Sequence, residues 1–289
     1  MAAGQLRSAR EARRPVLTLR TVSLDDLTID DERSFAHVAL QARLKQALRR
    51  SGHRFLVPGV GAPISWDRAL FLNLTYWGAR DGADVLCEDH IPADVVAHVA
   101  WHHIVARELA RRSADADAPP SAAALFFAES IASAFDLYLV GRLISNAPDS
   151  DFIMTQVPLM SECAQQAGQS ETAFAALMED VSRDPERAFE DLRALLFDAA
   201  SALVRCAGHA DAAAALDGFS GHRFGQLLHH YELSNWILYA RAYAGNPPGA
   251  ADVVVAEVDA VLRHAPISLD WLAEHWIDAD EPATAADPR

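Results

Sequence analysis

The run from Ala97 to Leu109, AHVAWHHIVAREL, holds the residues best spaced for chemistry. His98 and His102 are four apart. On a helix that spacing leaves them about 40° apart in rotation and about 6 Å apart along the axis. Two imidazoles on one helical face can grip a single ion, but a third protein ligand is needed to hold it. The next apolar run, LFFAESIASAFDLYL, carries Glu129 among Leu125, Phe126, Phe127, Ile131, Phe135 and Leu137. A carboxylate buried among such residues needs a partner, because leaving it unpaired costs several kcal/mol, roughly. A metal ion would be that partner. His98, His102 and Glu129 are therefore the expected metal ligands. Zinc is the expected ion. Iron stays open, since two histidines and one carboxylate are also the donor set of mononuclear iron sites, and so does no metal at all. A ferritin-like di-iron site fits poorly, because no glutamate has a histidine three residues later.

Other motifs are weaker. His229-His230-Tyr231-Glu232 falls in an expected helix over 221–244, where His229 and Glu232 share a face. They either join a metal site, line a cleft or form a hydrogen-bonded pair in an aromatic core. The sequence has no G-x-S-x-G, no P-loop and no G-x-G-x-x-G. Cys87 stands beside Glu88 and Asp89, which raise a thiol pKa rather than activate it.

The elements that must position these residues read as mainly α, in an α+β arrangement with the strands near the N-terminus. Residues 15–22 alternate as a short strand. Asp30 or Asp31 is expected to cap a helix running to Arg50, with Ala36, Leu40, Leu44, Ala47 and Leu48 on its inner face and Ser51-Gly52 as its stop. Residues 54–65 read as strand pieces and turns, 69–77 as either strand or helix, and 84–87 as an edge strand. Helices are then expected over 92–112, 121–145, 158–182 with a break near Gly168, 185–207, 221–244, 250–264 and 268–277. The spatial division expected is a basic arm (1–14), a metal-site region (15–150), a helical region (151–277) and an acidic tail (278–289), with the boundary near 150 open.

In this order, Asp84-Val85-Leu86-Cys87, then His98-Val99-Ala100-Trp101-His102-His103, then Glu129, the chain resembles the gluzincin branch of the zincin metallopeptidases. There an edge strand precedes an H-E-x-x-H helix, and a glutamate on a following helix completes the zinc site. The resemblance covers residues 84–140 and implies a zincin-like core with His98, His102 and Glu129 as ligands. It also implies that Asp136 orients a ligand histidine from outside the metal's own shell, with His103 as a further neighbour. The departure lies at Val99, where the family has its catalytic glutamate. General acid–base help is worth about 10²- to 10⁴-fold in rate, and valine supplies none. His103 and Glu108 are poor substitutes by their angular position on the helix.

Composition sets the outer limits. The 289 residues are 51% hydrophobic and 22% charged, which is globular usage. A formal charge of -15 argues against nucleic acid. It is unevenly spread, with +4 in the first twenty residues and -7 from Asn246 onward. Three scattered cysteines exclude a Cys-rich zinc site and fit a reducing, cytoplasmic setting. No apolar run is expected to reach membrane length. A single lysine (Lys45) among many arginines and alanines fits a GC-rich bacterial genome. The function expected is divalent-metal binding on a metallopeptidase-like scaffold without ordinary peptidase activity. The alternatives are a non-catalytic module that binds a protein partner in its cleft, or a mononuclear iron enzyme.

Overall fold

The longest apolar stretch of the chain becomes its central helix. In the computed structural model, which describes residues 19–59, 84–86, 88–115, 118–247 and 249–278, that helix is Ala122–Leu143. The basic arm, residues 15–18 of the expected strand, the 69–77 segment, Cys87 and the tail from 279 lie outside the described residues. The protein is mainly helical, with small sheets contributed by its N-terminal part.

Among the described residues the N-terminal part holds five short strands: β1 (Leu19–Ser23), β2 (Thr28–Asp30), β3 (Arg54–Pro58), β4 (Asp84–Val85) and β5 (His90–Pro92). β1 pairs antiparallel with β3, setting Val22 opposite Phe55, and β4 lies parallel along the other side of β3. The expected strand at 84–87 is thus a short edge strand, extended by a bond from the Leu86 N–H to the Leu56 carbonyl. β2 and β5 form a separate parallel pair that feeds the chain directly into the second helix.

Helix α1 is Ala39–Ser51, shorter than expected from the aspartates. Asp31 does not cap it. Its backbone is left-handed (φ 54°), and its carboxylate is taken by the Ser34 hydroxyl and the Asp151 N–H. A 3-10 turn over Glu32–Phe35 follows instead. Gly52 ends α1 at φ 68°, a conformation that glycine adopts without strain.

The helices that follow are α2 (Ala93–Arg112), α3 (Ala122–Leu143), α4 (Asp151–Gln166), α5 (Glu171–Arg183), α6 (Pro185–Leu203), α7 (His209–Asp217), α8 (Leu233–Tyr243), α9 (Val253–His264) and α10 (Ser268–Leu272). A π-turn over Ala273–Ile277 prolongs the last. α4 starts seven residues before the expected 158, capped by Ser150, and it carries Pro158 in its interior. That proline offers no N–H to the Met154 carbonyl. The expected break near Gly168 is a Schellman turn, with the Gln169 N–H on the Ala164 carbonyl and the Gly168 N–H on the Gln165 carbonyl. α7 was not expected. The expected helix over 221–244 is two elements, a 3-10 helix at Gly225–Tyr231 and then α8, separated by Glu232 at φ 47°.

α3 runs through the middle of one hydrophobic core that extends from Val22 to Ile277, packed along α6 on one side and α2 on the other. By length and composition α3 could cross a bilayer, contrary to the expectation that no run would, but 83% of its most apolar window is buried inside the protein. Its approach to the α5–α6 corner is close: a Cβ on Gly141 would lie 2.7 Å from the Val181 carbonyl oxygen. Arg193 of α6, fully buried, is held by Glu190 and Asp259 and lies over the Phe127 ring. This ties α3, α6 and α9 together, and α2 packs along α3.

Candidate metal centre

α2 presents His98 and His102 one turn apart, and the adjacent α3 presents Glu129 and, seven residues on, Asp136. The His98 Nε2 and His102 Nε2 atoms are 3.2 Å apart. Glu129 Oε2 is 3.9 Å from the first and 3.5 Å from the second. The circle through these three atoms has a radius of about 2.1 Å, which is the length of a zinc–nitrogen or zinc–oxygen bond. Among the described residues this is the one group of three or more such side chains close enough to hold an ion. The group can hold a metal ion. Glu129 is 8% exposed and the histidines are 23% and 15% exposed, so the three ligands are largely shielded from water.

Asp136 fixes the orientation of His98. The His98 Nδ1–H donates to Asp136 Oδ2 over 3.0 Å, which leaves Nε2, 3.2 Å from His102 Nε2, as the ring nitrogen on the ligand side. Burial opposes a charge on His98, but Asp136, Glu129 and Asp94 outweigh it and push the imidazole up to about 9. Burial likewise opposes ionisation of Glu129, yet His102 and His98 hold its carboxyl below the usual range. Asp94, four residues before His98, is pushed up to about 6 by burial and by the Asp136 charge. Its Asp-x-x-x-His-x-x-x-His spacing was legible in the sequence and was missed.

Two neighbours are placed elsewhere. His103 faces His53, with ring centroids 5.6 Å apart, and His53 in turn bonds Asp84 at the sheet edge. Burial, then the charges of His53 and Arg107, push His103 down to about 4. One residue further round the helix than His102, it turns toward the sheet instead of the ligands, which corrects its expected place beside the centre. Glu108 is buried in ion pairs with Arg107 and Arg111. Val99 is 2% exposed and does not line the cleft.

A cleft of about 500 Å³ opens beside the ligands. His98, Glu129 and Asp136 form one wall, and His230, Tyr231 and Glu232 form part of the other. The 229–232 segment thus reaches the site through His230, Tyr231 and Glu232, while His229, which is exposed, lines a separate cleft together with Glu232, so the expected pair does share a cleft although the left-handed turn at Glu232 breaks the helix. Tyr231 is shifted upward by burial and by the Asp136 charge. Neither a family model, nor a curated protein, nor a solved structure matches this chain.

Proposed function

We propose that the protein binds one divalent metal ion, zinc, through His98, His102 and Glu129, on a metallopeptidase-like scaffold that lacks ordinary peptidase activity. The observation that carries this is the 3.2–3.9 Å spacing of two imidazole nitrogens and a carboxylate oxygen, close enough for all three to meet one ion at a bond length of about 2.1 Å. When bound, such an ion supplies Lewis acidity to a polar group in the cleft. The chain's own residues do the rest. Asp136 keeps the His98 proton on Nδ1, and Glu129 stays ionised at neutral pH. Val99 has no proton to exchange and is buried, so the acid–base step of the gluzincins has no agent at that position. The same donor set suits ferrous iron, which is the second reading.

Elemental analysis of protein purified without added metal separates the two. Near-stoichiometric zinc supports the first reading and iron the second. Metal bound to the site also stabilises the fold, by about 4 kcal/mol when free ion is a thousandfold above its dissociation constant. A chelator is expected to lower the melting temperature of the wild type and to leave a His98→Ala, His102→Ala double variant unchanged. No metal after purification, together with no thermal response to added zinc, overturns both readings.

A further inference from the structure

We infer that the cleft takes an elongated, uncharged molecule, a carbonyl head on a linear apolar chain, which is the chemistry of a medium-chain acyl amide or ester. The position of the head rests on the metal reading above; the uncharged character and the apolar chain rest on the cleft alone. Glu129, Ser133, Asp136, Leu137 and Val140 line it from α3. They share one face of that helix and span about 16 Å of its axis, from the ligand group to an apolar end. Phe152 and Met160 line the cleft from α4, which begins a short connection (144–150) beyond the end of α3. A volume of about 500 Å³ is that of a small-molecule site.

The charged side chains of the lining already have counterparts in the protein. Glu129 Oε2 lies 3.5 Å from His102 Nε2, Asp136 holds the His98 imidazole, and Glu232 accepts from the Asn235 side-chain N–H. A charged guest would leave water without gaining a partner. The hydrogen-bonding groups left unspent are uncharged. Ser133 is 7% exposed and lines the cleft, and its hydroxyl has no hydrogen-bond partner among the described residues. Ser130, on the same helix, donates its own to the Phe127 carbonyl over 2.8 Å. A hydroxyl buried to that degree calls for a partner, and the cleft is where one can enter. The Tyr231 hydroxyl and the Gln156 amide, on the other walls, are likewise unpartnered among the described residues. Ser133 stands one turn along α3 from Glu129, about 6 Å on the axis, a span that one amide or ester group bridges between the ion and the hydroxyl.

The test is calorimetric titration of the full chain with octanamide, butanamide, octanoate and octylammonium, on EDTA-treated protein and again on zinc-loaded protein. Octanamide is expected to bind about tenfold more tightly than either ion and at least about tenfold more tightly than butanamide. Ser133→Ala is expected to cut the octanamide affinity about fivefold. Leu159→Asp, at a half-exposed position of the lining, is expected to weaken octanamide about tenfold more than butanamide. Zinc loading is expected to tighten octanamide about tenfold, since the carbonyl then meets the ion. Either ion binding as tightly as octanamide, no gain from butanamide to octanamide, or an unchanged octanamide affinity in Ser133→Ala would each overturn the inference. A zinc-loaded protein that binds octanamide no better than the EDTA-treated one overturns the placement of the head. A protein that takes up no zinc yet keeps these preferences removes the metal reading and leaves the apolar, uncharged guest standing. A protein that takes up zinc without them does the reverse.

Discussion

Replacing Asp136 with asparagine separates the charge of its carboxylate from its hydrogen bond. Asparagine still offers an oxygen to the His98 Nδ1–H, but the negative charge that does most to raise His98 is gone. Metal and proton compete for the same nitrogen, so affinity falls tenfold for each pH unit below the imidazole pKa. With that value near 9, wild-type affinity at about pH 7 is expected to be about a hundredfold below its alkaline plateau. In Asp136→Asn the plateau itself drops, by about ten- to a hundredfold, because a carboxylate partner makes the ligand more basic and holds it in place. Its break point moves to lower pH, however, so the two curves converge toward neutrality. Competition against a chromogenic zinc chelator across the range from about pH 6.5 to 9.5 measures this directly. Parallel curves for the two proteins, or a wild-type affinity that does not change between neutrality and pH 9, would refute the reasoning.

The sign reverses for the metal-free fold. A raised His98 pKa contributes stability that is complete below the ordinary imidazole range and is lost as pH rises through about 9, so the chelated wild type should lose melting temperature over that interval while His98→Ala does not. Val99→Glu puts a carboxylate into a fully packed position; it is expected to cost about 3 kcal/mol or more in urea unfolding and to create no peptide hydrolysis. Gly141→Ala drives a methyl group into the Val181 carbonyl, and a loss of about 1–3 kcal/mol in the same measurement is expected. Arg193→Ala takes the ion pair from Glu190 and leaves Asp259 with Arg263 alone, around a buried gap, for about 3 kcal/mol.

Helical periodicity made the ligand group legible. His98 and His102 are one turn apart, Glu129 is the acid in an apolar run, and Asp136 returns to the same face two turns later. Local stop signals were equally readable at Gly52 and Gly168, where a glycine supplies the left-handed residue that ends a helix. What escaped reading was set by contacts distant in sequence. Asp31 looks like a cap, but its carboxylate is drawn to the Asp151 N–H, 120 residues away. Pro158 looks like the start of a helix, yet Ser150 caps the chain earlier and the tertiary core carries the helix through the proline. Glu232 gives no sign of a positive φ, so the 221–244 segment reads as one helix, and His230 and Tyr231 are not singled out as residues of the cleft beside the ligands. The short strands β2 and β5 have three residues each and pair only with one another, which leaves no periodicity to detect.

The proline in α4 bears on how the cleft responds to what enters it. Phe152, Gln156, Leu159 and Met160 of that helix line one side, and the missing bond from residue 158 to the Met154 carbonyl falls in their midst. The opposite side is α3, its hydrogen bonds continuous and its face sealed in the core. The two walls therefore differ in compliance. In amide exchange the turn around Pro158 should open at a lower free energy than any turn of α3, and a bulky guest would make its room by displacing α4 while the ligand-bearing helix keeps its place.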